Sequence, residues 1–235
     1  MTIAYRIADC DVPLGVEYAW PVRAAPRHAV VARPASRRLL VIAAALALAA
    51  SLWQFGQAGY IHAKARLAQV LIAQAWARTL AGEVAVKPWP WADTWPVARL
   101  AVPGRDVDLF VLAGADGRSI AFGPGHVFGT AAPGTAGNSV IGGHRDTHLR
   151  FLKDLGRGEL LSVERPDGRR FDYRIADTQV VDKSNVAVLG QDGPDRLTLV
   201  TCWPFDALRA GGPQRYVVTA LRADREPADR RAERR

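Results

Sequence analysis

The feature that most constrains the fold of this chain is a long apolar run close to its N-terminus. Residues 39–61, LLVIAAALALAASLWQFGQAGYI, carry no charged side chain, and a helix of this length spans a bilayer core of about 30 Å. Five arginines and no acidic residue lie between Arg23 and Arg38, and basic residues collect on the cytoplasmic side of membrane helices. We therefore predict a cytoplasmic segment over 1–38 and a transmembrane anchor over 39–61. A cleaved signal peptide and a buried core helix are the alternatives.

The net charge of the chain, +8 at pH 7, first suggests a nucleic-acid partner. The basic residues do not cluster on one predicted element of the folded part, however, and a group without acidic residues flanks the apolar run. This distribution favours a membrane-orienting flank. We predict a single-pass protein of the cytoplasmic membrane that binds no nucleic acid. The part after residue 62 then faces the periplasm or the cell exterior.

The segment that follows the apolar run has two parts. Residues 62–81, HAKARLAQVLIAQAWARTLA, contain neither proline nor glycine and are rich in strong helix formers, which predicts a stalk helix. The stretch KPWPWADTWP over 87–96 has three tryptophans and three prolines and cannot continue that helix. We assign 62–94 to a stalk helix and a Trp/Pro-rich linker that packs on the domain surface.

The remainder of the chain has the sequence pattern of a β-protein. Short apolar runs alternate with glycine-rich turn signals over 95–222, and Pro166-Asp167-Gly168 lies in the middle of a predicted hairpin. Six or more such strands indicate an all-β barrel or sandwich, with short helical turns near 119–126 and 151–155. Residues 223–235, ADREPADRRAERR, show no apolar pattern and are predicted to be a disordered tail.

The chain has only two cysteines, Cys10 and Cys202, and the predicted topology puts them on opposite sides of the membrane. Cys202 ends the run RLTLVTC, and Arg215 opens the next run, RYVVTALR. If these strands are adjacent and antiparallel, the end of one lies beside the start of the next. A guanidinium at Arg215 could then reach an acyl oxygen bonded at Cys202. An inert buried cysteine and a surface arginine are the plainer interpretation.

A nucleophilic cysteine needs a basic or cationic partner, and three histidines follow the linker. His144 ends the apolar run SVIGG and is the best candidate. His126, in GPGH, is a weaker candidate for contact with the site. His148 lies in a polar loop, where a solvated role is expected.

Four motifs together resemble the sortases, the cysteine transpeptidases of bacterial surfaces. LTLVTC at 197–202 resembles their TLxTC signature, and GTAGNSVIGGHR at 134–145 resembles the signature whose histidine closes a strand. GPGH at 123–126 and FLKDLGRGELLSV at 151–163 are also similar to that family. The resemblance covers about residues 95–222.

The resemblance implies a closed eight-stranded β-barrel that forms a catalytic domain over 95–222. It implies that Cys202 is the nucleophile, His144 the general acid/base and Arg215 the stabiliser of the oxyanion or substrate. Thr201 is expected to shape the substrate groove, and His126 is retained as a candidate substrate-binding residue. No cofactor is expected, and because no acidic cluster occurs in the loops, no metal is predicted.

The substrate that the resemblance implies is a protein with a C-terminal sorting signal similar to LPxTG. The acyl group would pass through a cysteine thioester to an amine acceptor. The stretch KPWPWADTWPVARLAVP is similar to the leader of sortases from Gram-negative proteobacteria. Three alternatives stay open: a cysteine peptidase that hydrolyses the same thioester, a non-catalytic membrane-anchored β-barrel binding module, and an L,D-transpeptidase. The last would require a glycine before the cysteine and an arginine two residues after it, and TLVTCWPFD has neither.

Overall fold

The structure, a computed structural model, describes residues 37–207, 209 and 211–223. It contains one long helix and eight strands. The helix α1 spans Arg37–Leu80. The strands are β1 Pro96–Val102, β2 Val107–Ala113, β3 Gly125–His126, β4 Asn138–Gly142, β5 Leu160–Glu164, β6 Arg170–Asp182, β7 Arg196–Trp203 and β8 Gln214–Arg222.

The eight strands form a closed barrel in the order β1-β2-β3-β4-β7-β8-β6-β5, with β5 paired to β1. The β2–β3 and β4–β7 pairs are parallel and the others antiparallel. The closed barrel confirms the fold predicted for this part of the chain. The hairpin through Asp167 and Gly168 is present as β5 and β6, and short 3-10 helices occupy Ser119–Ala121 and Arg150–Asp154.

The barrel core follows from alternation along the strands. In β1 every second residue is buried, as expected for a strand with one face on a core. The centre of the barrel is filled by branched aliphatic side chains and one tyrosine, among them Leu100, Ile141, Leu161, Tyr173, Leu197, Leu199 and Val218. In β7 the odd-numbered residues therefore face the interior, and the even-numbered residues, including Cys202, face outward.

Compact packing divides the chain between Trp53 and Gln54. In the first unit, residues 37–53 of α1 are exposed. By length and composition, α1 contains one candidate membrane span. The predicted anchor and stalk are parts of this single continuous helix. Residues 1–36 and 224–235, which hold most of the predicted cytoplasmic segment and nearly all of the predicted tail, lie outside the described residues, and the domain boundaries stay predictions.

In the second unit, the end of α1 packs against the barrel through Ala68, Ile72, Ala75, Trp76 and Thr79. Their spacing places them on one helical face. The Trp76 ring lies 6.3 Å from Phe110 of β2. In the linker, Trp89 meets the ring of Phe122 edge-on at 5.0 Å. The linker thus packs on the domain surface, as predicted.

Candidate active site

Cys202 and Arg215 are direct partners across the antiparallel pair formed by β7 and β8. Side chains of direct partners leave the sheet on the same face, with Cβ atoms about 4.5–5.5 Å apart. Cys202 is a free, half-buried thiol, and both residues line one groove on the outside of the barrel. The adjacency expected from the sequence is therefore present.

His144 reaches the same end of the barrel because β4 runs parallel to β7. Gly142 is opposite Val200, so two further residues along both strands lead to His144 and Cys202. The His144 imidazole is exposed, whereas the backbone on either side of it is fixed. The Gly143 N–H donates to the Val200 carbonyl over 3.2 Å, and the Leu149 N–H donates to the His144 carbonyl over 3.0 Å.

Thr201 contributes to this arrangement through its hydroxyl. It is buried, and its Oγ1 donates to the Gly143 carbonyl over 2.8 Å. Thr201, which precedes Cys202, therefore fixes the position of Gly143, which precedes His144. Gly143 is also packed tightly, since a Cβ added there would lie 2.9 Å from Cγ of the buried Leu149. The site therefore leaves no room for a larger side chain beside Leu149.

Arg145 is a functional candidate that the sequence did not reveal. It follows His144 directly and is only 6% exposed. Its guanidinium donates to the carbonyls of Ala207 (2.9 Å), Arg209 and Gly211 (3.4 Å). These carbonyls belong to the loop that joins β7 to β8. Within residues 37–207, 209 and 211–223, no carboxylate forms an ion pair with Arg145, so backbone carbonyls alone satisfy this buried cation.

The groove beside Cys202 has a volume of about 360 Å³. Its apolar lining comes from the strands β4, β6 and β7, from residues between β2 and β4, and from the 3-10 helix Val186–Leu189, which joins β6 to β7. The apolar lining residues are Ala115, Ile120, Val127, Val140, Val181, Val186, Val188, Leu189 and Val200. Asp182, Lys183 and Asn185 add a polar end near Arg215. The groove therefore suits an extended segment with apolar side chains and a polar end.

The 3-10 helix that walls the groove is held by Asn138, a fully buried residue of β4. Its Nδ2 donates to the carbonyls of Val188 and Gly190, each over 2.9 Å. Its Oδ1 accepts from Thr198 Oγ1 over 2.7 Å. Asn138 lies six residues from His144 in sequence, but its side chain stabilises the wall of the groove. Among the residues that the structure describes, it makes no hydrogen bond with the histidine.

Arg215 is half-buried, and its Nη1 donates to the carbonyls of Gly212 and Gln214, each over 2.9 Å. The nearest acid of the groove is Asp182. Hydrogen bonds from the Ser184 side chain and backbone lower the pKa of Asp182, and the charges of Lys183 and Arg215 lower it further. Asp182 is therefore ionised at neutral pH, beside the positive charge of Arg215.

The two other histidines after the linker lie elsewhere. His126 is buried in β3, where its Nε2 donates to the Ala131 carbonyl over 2.9 Å and is 3.1 Å from Thr130 Oγ1. Burial lowers its pKa. The structure does not bring His126 to the groove that Cys202 lines, and its substrate-binding role stays a prediction. His148 lines a cavity beside α1, and burial, followed by the nearby His144, lowers its pKa.

The structure thus places Cys202 and Arg215 beside an apolar groove, and the backbone register brings His144 to the same end of the barrel. Such a set suits nucleophilic attack on a carbonyl, with proton transfer and charge stabilisation next to it. In the part of the chain that the structure describes, no group of three or more His, Cys, Asp or Glu residues is placed to hold a metal ion.

Comparisons with known proteins agree with the fold and the family expected from the sequence motifs. The sequence model of the sortase domain matches residues 100–223. Sortase D of Bacillus subtilis is 32% identical over 124 residues, which are 52% of this chain and 62% of that protein. Sortase A of Corynebacterium diphtheriae superimposes with a TM-score of 0.52 and 28% identity, covering 60% of this chain and 66% of that one.

A Sortase D5 transpeptidase of Clostridium perfringens superimposes with a TM-score of 0.50 and 26% identity, covering 55% of this chain and 80% of that one. Because the sortase domain matches more than half of the sequence, the chain belongs to the sortase family. It spans less than two thirds of the length of the Bacillus subtilis relative.

Proposed function

We propose that this protein is a membrane-anchored cysteine transpeptidase. It cleaves a C-terminal sorting signal similar to LPxTG and transfers the acyl group to an amine. The observation that carries the proposal is the placement of Cys202 opposite Arg215, with His144 brought level with them by the parallel β4–β7 pair. The family membership and the transpeptidase name of the Clostridium perfringens structure support the same reaction class.

In the first half of the reaction, the Cys202 thiolate attacks the carbonyl carbon of the bond between threonine and glycine. Arg215 stabilises the negative charge that develops on the carbonyl oxygen. The C–N bond breaks as the His144 imidazolium donates its proton to the leaving amine. This step leaves a thioester on Cys202 and a neutral imidazole.

In the second half, the nitrogen of an acceptor amine attacks the thioester carbon. A C–N bond forms, the C–S bond breaks, and a proton from the amine returns to His144. Thiolate and imidazolium are restored together, so the same pair serves both halves. Water in place of the amine would give hydrolysis by the same steps.

The groove supports a peptide substrate of this kind. Apolar side chains such as leucine and proline match the lining formed by Val140, Val181 and Leu189, and their burial contributes affinity. We further propose that residues 39–61 cross the cytoplasmic membrane once, with the catalytic domain outside. The arginine-rich stretch before the span supports this orientation.

The test is product analysis with the full-length chain in detergent, incubated with a panel of LPxTG-type peptides with and without an added amine. We expect cleavage after threonine and an amine-capped product when the amine is present. The Cys202→Ala variant is expected to keep the fold because Cys202 is only half-buried; it serves as the control and should give neither product. Cleavage to the free acid alone at every amine concentration would identify a peptidase instead. Equal activity of Cys202→Ala would exclude thiol catalysis.

A further inference from the structure

The face of α1 that packs on the barrel continues beyond the barrel, toward the predicted membrane span. Ala68 and Ile72 are buried in this contact. Ala65 and Ile61 lie one and two turns earlier on the same face, because residues three or four apart are neighbours on a helix, yet both are exposed. An open space therefore adjoins this face of the helix where the predicted span ends.

This space is a cavity of about 830 Å³, which is within the size range of ligand pockets. Residues 60–70 of α1 form one wall, and Ala121, Phe122 and His148 form the other. The two walls are joined by a hydrogen bond, which Gln69 Nε2 donates to the Phe122 carbonyl over 2.7 Å. We call this space the juxtamembrane cavity.

The charged side chains that line the juxtamembrane cavity are Lys64 and Arg66, and no carboxylate lies among its described lining residues. In the part of the chain that the structure describes, neither cation forms an ion pair. Asp93 borders a separate pocket with Lys64, but it is paired with Arg118 over 3.6 Å. Burial lowers the pKa of His148, so its ring adds no charge at neutral pH. The cavity is therefore cationic, without a counter-ion from the described chain.

The depth of these cations in the membrane follows from the end of the predicted span at Ile61. With a rise of 1.5 Å per residue, Lys64 lies about 4.5 Å and Arg66 about 7.5 Å beyond Ile61 along the helix. The headgroup layer on each side of a bilayer core is about 5–8 Å thick. Both cations therefore lie at the level of the lipid headgroups. Tyr60, which also lines the cavity, is of a residue type that is common at this level.

Basic side chains near the end of a span often extend toward water without binding a partner. That behaviour accounts for a single cation at a helix end. It does not account for two cations in a cavity that has a second wall and no acidic residue. Basic residues are also less frequent on the outer side of a span than on the cytoplasmic side, so the presence of Lys64 and Arg66 on the predicted outer side needs a reason.

We propose that the juxtamembrane cavity binds the headgroup of an anionic phospholipid from the outward-facing leaflet. The inference rests on the proposed membrane span and does not depend on the reaction at Cys202. Lys64 and Arg66, on either side of Ala65, attract the phosphate, and the acyl chains stay in the bilayer beside Ile61. His148 is not among the proposed contacts. The bound lipid joins both walls of the cavity to the membrane surface.

The first test measures lipid binding to the full-length chain in a non-ionic detergent. Dioleoylphosphatidylglycerol or dioleoylphosphatidylcholine is added, and native mass spectrometry counts the lipids retained. We expect the anionic lipid to have the lower Kd. The double variant Lys64→Gln/Arg66→Gln should weaken its binding about tenfold, because each cation near the membrane surface contributes to the attraction. Exchange of the two cations, Lys64→Arg/Arg66→Lys, should preserve it.

Arg78→Gln is the matched control. It removes an exposed cation of the same helix, about 18 Å from Arg66 along the axis, and should leave the Kd unchanged. The arginines before the span can also attract anionic lipid, so the assignment depends on the loss in the double variant. That variant should melt within about 2 °C of the unmodified chain in lipid-free detergent, because both substituted side chains are exposed.

The second test locates the lipid. The chain is reconstituted in phosphatidylcholine vesicles that contain a phosphatidylglycerol with a photoreactive headgroup, and the labelled residues are mapped by mass spectrometry. We expect label within residues 60–70 or at Ala121 and Phe122, and no competition from an excess of glycerol phosphate. Label confined to the residues before the span, or equal competition by glycerol phosphate, would overturn the assignment.

Flotation of the same vesicles separates the two ways in which the proposal can fail. A chain that does not float with vesicles would contradict the proposed span and this inference with it. A chain that floats, but binds phosphatidylglycerol equally well in the double variant, would overturn the headgroup site alone. Neither result alters the assay for a thioester on Cys202, which tests the proposed reaction separately.

Discussion

The strand ends around Cys202 and the helical segment that leads to the barrel are attached by different kinds of interaction. At the strand ends, two buried polar side chains, Arg145 and Thr201, donate hydrogen bonds to backbone carbonyls of neighbouring segments. Along residues 54–80, the attachment is mainly apolar, with Ile72 and Trp76 buried. One polar bond, from Gln69 Nε2 to the Phe122 carbonyl over 2.7 Å, adds to it.

The difference matters because the two kinds of interaction control different properties. Hydrogen bonds are directional and fix the orientation of the groups they join, so their loss should change the geometry of the reacting residues. Apolar burial is not directional, so its loss should change the free energy of unfolding. We therefore expect substitutions at the strand ends to alter reaction rates and those on α1 to alter stability.

The largest effect is expected at His144 and Arg215. Replacing either with alanine should reduce thioester formation at least ~10³-fold, since proton transfer or charge stabilisation is lost. Cys202 should still be alkylated and the fold retained. His148→Ala removes the neighbouring histidine and is the control, with an expected loss below about threefold. A loss of the same size in His148→Ala would move the acid/base role to that residue.

On α1, Trp76→Ala should lower the free energy of unfolding by about 3–5 kcal/mol, because a large buried side chain leaves a cavity. Chemical denaturation of the full-length chain in detergent measures this change. At temperatures where the variant is folded, its rate of thioester formation should stay within about twofold of normal. Trp91→Ala is the control, since Trp91 is 80% exposed. A rate that falls with Trp76→Ala in fully folded protein would break the distinction between the two regions.

At the strand ends, Arg145→Met should slow thioester formation roughly 10- to 100-fold while the KM for the peptide changes little. The loop between β7 and β8 loses the donor that ties it to the segment after His144. Amide hydrogen exchange in that loop should accelerate, and Arg145→Lys should recover part of the rate. Arg157→Met, which removes only an exposed ion pair with Asp177, is the control. Unchanged kinetics in Arg145→Met would show that thioester formation does not depend on the hydrogen bonds between Arg145 and this loop.

The smallest effect is expected for Thr201→Val, which keeps the shape of the side chain and removes its hydroxyl. The Gly143 carbonyl then loses a donor, at a cost of about 1 kcal/mol, and the rate should fall by about tenfold or less. Thr178→Val, at an exposed position of β6, should have no effect. A full-rate Thr201→Val enzyme would mean that the β4–β7 backbone pairing alone is sufficient to place His144.

The strands could be predicted from sequence because alternation and turn residues are local signals. The adjacency of Cys202 and Arg215 followed from the short connection between two antiparallel strands. The position of His144 depends on a parallel pair, β4–β7, whose partners are 58 residues apart, as for Ser139 and Leu197, and no local pattern predicts such a pairing. The resemblance to the sortases, rather than the residues alone, predicted the closed barrel.

The supporting residues could not be predicted for a related reason. Arg145 and Asn138 donate hydrogen bonds to backbone carbonyls 50 to 66 residues away. Because every residue has a backbone carbonyl, the sequence does not show which one accepts such a bond. The wall of the groove, Val186–Leu189, is a short 3-10 helix held by the bonds of Asn138. Asn138 is close to His144 in sequence, but its side chain bonds to the carbonyls of Val188 and Gly190.

Thiol catalysis by Cys202 is tested by locating the acyl group on the full-length chain. An LPxTG-type peptide that supports turnover is incubated without amine, the reaction is stopped in acid, and the digested protein is mapped by mass spectrometry. The chain has two thiols, Cys10 and Cys202, so each serves as the control for the other. We expect a hydroxylamine-sensitive adduct on Cys202 and none on Cys10. Turnover without an adduct on Cys202, or with an adduct on Cys10 instead, would contradict thiol catalysis by Cys202.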